Sequence, residues 1–496
     1  MEYIVRVNGK EAKSFLSEIG LLTGDSASPG LWNIFFSDFC LPPSEDDVLL
    51  DGVRINHLLQ ADDLMLLSFG LPTSLHNLQT FERYTARKAV DVSMTKNRAM
   101  VFGRVQHLPS LYIHGARIPW VDRHELVGVT LTSVRPNLFA FYYENLAAQA
   151  SRASHGAFSA EAFVGVLSPE HGRVIFSSQV SPYLTAGADA FVDTQMSALA
   201  SIEKPYHQFI RRLLRLPRNS QLHVLFSETG FIPLRHWRLI LSLCFIKSVV
   251  QLSDGHFARA AFLDSVILAL CGSPGFASDL VWALDNLPYP VHSDVRSLMT
   301  VAGLDTALSN IKQSYKDQLF DAMVSSTRSL LLWYRTPSDA APKMRAHLRI
   351  KIPLYRFAYA RLIASTHSFA VELLRRSDWR RQERMAIIRS WRTCRLCKGD
   401  VEDEAHALLS CPASLKLGAL RAQFWEKVPH FPASISTDLL ALRHQPPHVV
   451  LQRILYHGDR SVDFATIVGK LASGVMDVFE SEPIYINPGA VYRPIS

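Results

Sequence analysis

Cysteine is scarce in this chain, six among 496 residues, and that sparseness excludes the disulfide-stapled class of small secreted domains. Long apolar runs are missing too: LILSLCFI and SVILALC fall short of the roughly 18–20 residues a membrane span requires. The opening MEYIVRVNGKEAK has no apolar stretch after a basic one, so no secretory leader and no membrane partner are expected. The chain reads as intracellular, with nucleus and cytoplasm both open, since no compact basic import signal stands apart from an arginine-rich stretch. Neither GxxxxGK(S/T) nor GxGxxG occurs, which removes those two phosphate cradles. GDSASPG is not a nucleophile elbow, because Ser28 stands where the second glycine belongs. The nineteen histidines include no HExxH pair.

What is present is an ordinary globular composition, 48% hydrophobic and 20% charged, which argues against disorder. The charge is polarised along the chain. Residues 1–70 carry four Lys/Arg against eleven Asp/Glu, whereas residues 335–398 carry sixteen against four. An acidic head can attract metal ions and a basic segment can attract phosphate, although an arginine-rich solvated helix face reads the same way.

Local patterning predicts a mixed first segment. YIVRVNG and DGVRINHLLQADDLMLLS read as short strands, with Asp51-Gly52 as a hairpin turn. SPGLWNIFFSDF spaces Leu31, Ile34, Phe35 and Phe39 as a helix face, with Ser28 as N-cap and Pro29 first in the helix. A second amphipathic helix follows over LPTSLHNLQTFERYTARKAV, capped near Thr73 or Ser74. RAMVFG, LYIHGARI and HELVGVTL supply further strands, and from about 136 onward the spacing becomes helical, as in FIRRLLRL and LRHWRLILSLCFIKSVV.

HLLQADDLMLLSFG, residues 57–70, sets two adjacent carboxylates, Asp62 and Asp63, inside an apolar run. An ionised carboxylate taken out of water costs several kcal/mol unless something compensates it. A hairpin turning at Gln60-Ala61-Asp62-Asp63 resolves the conflict by lifting both side chains to its tip. There they can share Mg²⁺ through oxygen ligands, or form a plain solvated turn.

The order of GLLTGDSASPGLWNIFFSDF, HLLQADDLMLLS, LQTFERYTARKAVDVSMTKNRAMVFG and HELVGVTL resembles successive palm motifs of reverse transcriptases from non-LTR, LINE-type retrotransposons. The resemblance implies a nucleotide- and template-contacting loop at Gly24, Asp25, Ser28 and Pro29, and catalytic metal ligands at Asp62 and Asp63. It also implies a motif lysine at Lys96 in a strand, and a primer-grip strand at LVGV. VSPYLTAGADAF and RLLRLPRNSQLHVLFSETGFIPLRHWR resemble the helical thumb of the same elements. Gln60 stands where the family usually has Tyr or Phe, and Thr23 where it usually has Gln. The strand bearing the family's first catalytic aspartate has no counterpart here, because the chain starts at the strand after it. Two-metal nucleotidyl transfer needs that carboxylate to bridge both ions. The resemblance therefore implies an RNA-directed DNA polymerase fragment, N-terminally truncated and inactive by itself. The alternative is a non-enzymatic helical protein that binds nucleic acid or another protein.

CRLCKGDVEDEAHALLSC places Cys394-x2-Cys397-x8-His406-x4-Cys411, four soft ligands at the spacing of a closed structural Zn²⁺ site. It also resembles the Cys-Cys-His-Cys element near the C-terminus of many LINE-type enzymes. Running into it, Arg375, Arg376, Arg380, Arg381, Arg384, Arg389, Arg392 and Arg395 interleave with Trp379 and Trp391, and of these Arg376, Arg380, Arg381, Arg384 and Arg392 are the candidate phosphate contacts. That pattern suits RNA or DNA phosphates with bases stacked on the tryptophans, and equally suits tryptophans that anchor a core. The expected fold is α+β: a partial polymerase palm over 1–130, an antiparallel sheet with helices; a helical thumb and linker over 131–390; and a zinc knuckle with C-terminal helices over 391–496. Phosphate binding by such an arginine face is salt-sensitive. Raising salt from low to physiological strength is expected to weaken template–primer binding markedly in a filter assay, and an affinity that ignores salt rejects the electrostatic reading.

Overall fold

Short strands closed by tight turns dominate the first part of the chain. The computed structural model describes residues 2–4, 6–16, 25–103, 105, 107–376, 385–485 and 493–494. The chain divides into two units, one of residues 1–141 with 252–264 and one of residues 142–251 with 265–496. Residues 391–496 lie in the same unit as the helices from 142 onward. It is an α+β chain, mostly helical, with small antiparallel strand pairs. No helix among the described residues is long and apolar enough to cross a membrane.

In the first unit, α1 (Ser28–Phe36) precedes the hairpin of β1 (Val48–Leu50) and β2 (Val53–Ile55), which turns at Asp51-Gly52 as expected. A second hairpin follows, β3 (His57–Gln60) with β4 (Asp63–Leu66), then α2 (Leu71–Lys88). LYIHGARI and HELVGVTL each fold into one hairpin, β5 (Leu111–Ile113) with β6 (Ala116–Ile118), and β7 (Arg123–Leu126) with β8 (Val129–Thr132). Every strand pair among the described residues is a two-stranded ribbon, so separate hairpins stand where a palm sheet was expected. Each of these strands spans three or four residues and closes on its neighbour through a tight turn, leaving little ladder for a third strand.

Both predicted helices form, with different starts. Ala27, not Ser28, is the N-cap of α1, because Asp25 satisfies the helix entrance: its carbonyl accepts from Ser28 N–H and its Oδ1 from Ala27 N–H. Gly70 precedes α2, while Thr73 donates to Asp46 Oδ2 and Ser74 to the Gly70 carbonyl. A Cβ at Gly70 would fall 2.1 Å from Asp46 Oδ2, which explains the glycine there. α2 organises this unit from two sides. Phe81 and Tyr84 join Trp32, Phe36, Phe39, Leu64 and Leu66 in one aromatic cluster, and Leu75 and Leu78 pack on Leu111, Ile113 and Ile118 of β5 and β6.

The second unit is helical, as the apolar spacing predicts. Its longer members include α3 (Ala140–Ser159), α4 (Met196–Leu213), α5 (Leu222–Thr229), α6 (Leu234–Val249) and α7 (Val301–Ser325). They continue with α8 (Pro353–Ile363), α9 (Leu415–Lys427), α10 (Ala433–Leu442), α11 (Pro447–Gly458) and α12 (Val462–Glu480). α12 is buried around most of its circumference, and α8 lies along it. At Gly469 the two backbones approach so closely that a Cβ would sit 2.7 Å from the Tyr355 carbonyl oxygen.

A buried charge network crosses this unit. Arg335 grips both oxygens of Glu228, at the end of α5, and donates Nε (3.0 Å) and Nη2 (2.6 Å) to Asp459 Oδ2, just past α11. Tyr334 adds a hydroxyl to the same Asp459 oxygen at 2.7 Å. Arg345 binds the Ser227 carbonyl, and fully buried His347 lies 3.6 Å from Glu228 and 3.8 Å from Asp459, stacked on Tyr359. Burial alone would raise both carboxyls, yet Arg335 and its neighbours hold Glu228 and Asp459 below their ordinary values. Because both are depressed by folding, the stability they contribute is present above pH about 4 and is lost as pH falls toward the folded values. Truncating Arg335→Ala strands two buried anions and is expected to cost about 3–5 kcal/mol in urea unfolding at pH 7. The gap between variant and parent is expected to shrink as the medium is acidified from neutral, first as the stranded carboxyls of the variant, raised by burial, take up protons and then, below pH about 4, as the parent loses its own contribution; a pH-independent gap contradicts the assignment.

Candidate functional site

The Cys/His element folds as its spacing demands. Thr393 and Val401 pair across the CRLCKGD loop, and Cys394 N–H donates to the Asp400 carbonyl at 2.8 Å. Lys398 takes a left-handed conformation (φ 58°) where the chain reverses after Cys397. Cys394 Sγ stands 3.6 Å from Cys411 Sγ, and Cys397 Sγ 3.3 Å from His406 Nε2. All four ligand atoms lie within 4.8 Å of one another. Tetrahedral zinc, with bonds near 2.3 Å to sulfur and 2.0–2.1 Å to nitrogen, holds neighbouring ligand atoms roughly 3.5–3.8 Å apart. The donor set and its spacing therefore fit zinc, whereas 3.6 Å between sulfurs is far from a disulfide bond. With four protein ligands no coordination position is open to a substrate.

Tertiary detail makes the group converge. His406 and Cys411 are five residues apart, which on an α-helix would point them roughly 140° apart. Residues His406–Ser410 instead form a π-turn, closed by Cys411 N–H to the His406 carbonyl at 2.8 Å, and this wider turn brings the two ligands to one side. Asp400 lies 3.5 Å from His406 Nδ1, on the far side of the ring from the thiols, where it can fix the tautomer that offers Nε2 to a metal. Burial pushes the Cys394 thiol up to about 12 and raises that of Cys411, partly opposed by backbone amides of Cys397 and Leu396 at Cys394 and of Ala413 at Cys411. At Cys397 burial raises the thiol, but the Gly399 and Asp400 amides and the neighbouring thiols outweigh it and lower it. Amides aimed at sulfur are suited to thiolates held by a cation.

Two arginines tie this group to the helices. Arg395, between the first two cysteines, forms a buried pair with Glu402 at 2.7 Å and reaches the Phe479 carbonyl of α12 at 2.8 Å. Arg421 of α9 donates to the carbonyls of Ala407, Leu408 and Cys411, holding the π-turn from outside. Arg421 carried no local signal, whereas Arg395 stood in the arginine-rich run that reads as a phosphate face and is instead an internal tie. Glu228, His347 and Asp459 are also close enough to share an ion. Arg335 already occupies both Glu228 oxygens and one of Asp459, so a second cation there would meet a guanidinium instead of free ligands.

The paired aspartates sit where the hairpin reading puts them. Gln60 faces Asp63 across the ladder, leaving Ala61-Asp62 as a two-residue turn with Ala61 at φ 53°. Both carboxylates are exposed at the tip, and Trp32 Nε1 of α1 donates to the Ala61 carbonyl at 2.6 Å, bracing the turn from below. Asp25 and Pro29 lie at the start of α1 with Ser28, and Gly24 falls outside the described residues. No third His, Cys, Asp or Glu gathers with Asp62 and Asp63 among the described residues, so the expected Mg²⁺ finds no assembled ligand set. Lys96 is exposed in a turn closed by its own N–H to Ser93, not on a strand, because the segment pairs only through the single bridge of Ala99 with Trp120.

The arginine expectation divides. Arg380, Arg381, Arg384 and Trp379 lie outside the described residues, as does the side chain of Arg376 at the end of its helix. Arg392 is corrected: it is buried, with its guanidinium donating to the Ile387 carbonyl (2.8 Å) and the Val371 carbonyl (2.7 Å), and so serves as an internal tie with no face toward phosphate. Trp391 packs on Ala370, Leu374 and Ile387, the core-anchor alternative. No protein-family model matches this chain, and no curated protein matches it in sequence.

The purified chain is expected to carry about one zinc ion per molecule by mass-spectrometric metal analysis. Asp400→Ala is expected to weaken zinc about 10–100-fold in chelator competition by freeing the His406 ring, and Cys397→Ser to abolish stoichiometric binding. Full zinc retention in Cys397→Ser overturns the four-ligand assignment.

Proposed function

We propose that this chain is a nucleic-acid-binding protein related to LINE-type reverse transcriptases, with a palm-like first unit and a zinc-stapled helical second unit. The observation that carries the reading is the β3–β4 hairpin, with Asp62 and Asp63 exposed at its tip and the turn braced by α1. Order along the chain supports it as well: a loop-to-helix entrance with Ser28-Pro29, then the acidic hairpin, then α2, then the LVGV hairpin, with helices and a Cys/His element beyond. RNA and DNA are its partners, and the zinc is structural.

The described residues supply two carboxylates and no third to bridge a pair of magnesium ions, so this polypeptide binds template–primer without extending it. That feature equally favours the second reading, a non-catalytic interaction protein built on the helical unit. One experiment separates them. The purified chain is incubated with Mg²⁺, dNTPs and a template–primer carrying a photoreactive 3′ end. The expected result is crosslinking within 25–66 and no extension beyond that of Asp62→Asn. Crosslinks confined to residues beyond 142 reject the palm reading, and robust Asp62-dependent extension overturns the loss of catalysis.

A further inference from the structure

Beside the Cys/His group, between α9 and the junction of α10 with α11, lies a cleft of about 390 Å³, within the range of small-ligand sites. α9 lines it through Gly418, Arg421, Ala422 and Trp425, residues spaced to share one side of a helix. Arg443 and His444, just past α10, form the facing wall, and no Asp or Glu lines the cleft. Arg443 sets its guanidinium over the Trp425 ring, 5.1 Å from the centroid, and no carboxylate among the described residues pairs with it. A Cβ built on Gly418 would meet nothing within 4 Å, so the helix opens onto space at that point. A cation held on an indole face and unpaired with any anion is poised for exchange. Phosphate offers the guanidinium stronger, charge-assisted hydrogen bonds than the ring does, and the vacated face is then free for a base. An acidic peptide would use the cations but leave the indole unfilled.

We propose that this cleft holds one nucleotide of a single-stranded nucleic acid, its phosphate on Arg443 and His444 and its base against Trp425. The inference rests on the nucleic-acid-binding reading above and names a site for it. Arg421 links the site to the metal group, since the same side of α9 that lines the cleft holds the turn bearing His406 and Cys411. Loss of zinc therefore loosens one wall.

The test uses the full zinc-loaded chain and fluorescent single-stranded oligouridylate in an anisotropy titration at physiological salt. Gly418→Leu fills the cleft without changing charge or deleting a packed side chain, and Arg443→Gln removes the phosphate partner. Each is expected to weaken binding about 10-fold or more, with zinc content and circular dichroism unchanged. Arg443→Gln is also expected to lower the slope of log affinity against log salt by about one. Binding by both variants equal to the parent overturns the proposal, as does full displacement of the oligouridylate by polyglutamate. If the variants leave affinity unmoved while the primer end still crosslinks within 25–66, the cleft alone falls. If the parent chain binds no nucleic acid at all, the broader reading falls with it.

Discussion

The second unit depends on a single guanidinium shared by two carboxylates. Glu228 and Asp459 are separated from Arg335 by 107 and 124 residues, and all three side chains are almost wholly shielded from water. Taking such charges out of water costs several kcal/mol per ion, and only near-complete mutual satisfaction recovers it. Arg335 uses both faces of its fork to do so, which holds the end of α5, the segment before α8 and the end of α11 in one arrangement. His347 and Tyr359 fill the remaining space, and Gly458 keeps the approach open, since a Cβ there would lie 2.3 Å from the Tyr359 hydroxyl. A network of this kind tolerates few alternatives, because an unpaired member inside the helices is far more costly than a mispacked leucine.

The Cys/His group is built on the same principle at shorter range. Its knuckle is local, with a left-handed Lys398 and amides turned toward sulfur, but its place in the unit is set by two more guanidinium groups, Arg395 buried and Arg421 half-buried. Arg395 joins it to α12 and Arg421 joins it to α9. The Cys/His group, helix packing and the neighbouring cleft thus share one framework. Among the described residues of the first unit no comparable staple stands. It is held by the aromatic cluster around Phe36, Phe39 and Tyr84, and its acidic tip is presented to solvent by a ribbon only four residues long on each side.

Much of this was legible in the residues themselves. Short-range chemistry announced the Asp51-Gly52 turn, the Asp62-Asp63 tip, both amphipathic helices and the helical run beyond 136, since each depends on neighbours a few positions away. The four residues that can hold a metal were equally plain, because their spacing is itself the geometry of a knuckle. The misread features were those decided by distant partners. Arg392 belonged to an arginine-rich string and looked like a phosphate contact, yet two backbone carbonyls, one of them 21 residues upstream, draw it inward. At the start of α2, Asp46 draws the Thr73 hydroxyl away from the helix entrance across 27 residues, whereas at α1 the shift was local, made by Asp25 two residues before Ala27.

By itself, then, the sequence determined which segments turn, which wind into helices and which four side chains can hold a metal, because periodicity, turn preference and ligand spacing act within a few residues. Tertiary structure alone decided that Arg335 binds two acids more than a hundred residues away. It also decided that a π-turn, not an α-turn, carries His406 and Cys411. The physical reason is common to both: a buried polar group, whether the Arg335 guanidinium or the turn carbonyls that Arg421 holds, must find its partner wherever in the chain that partner lies, and no local pattern records the address.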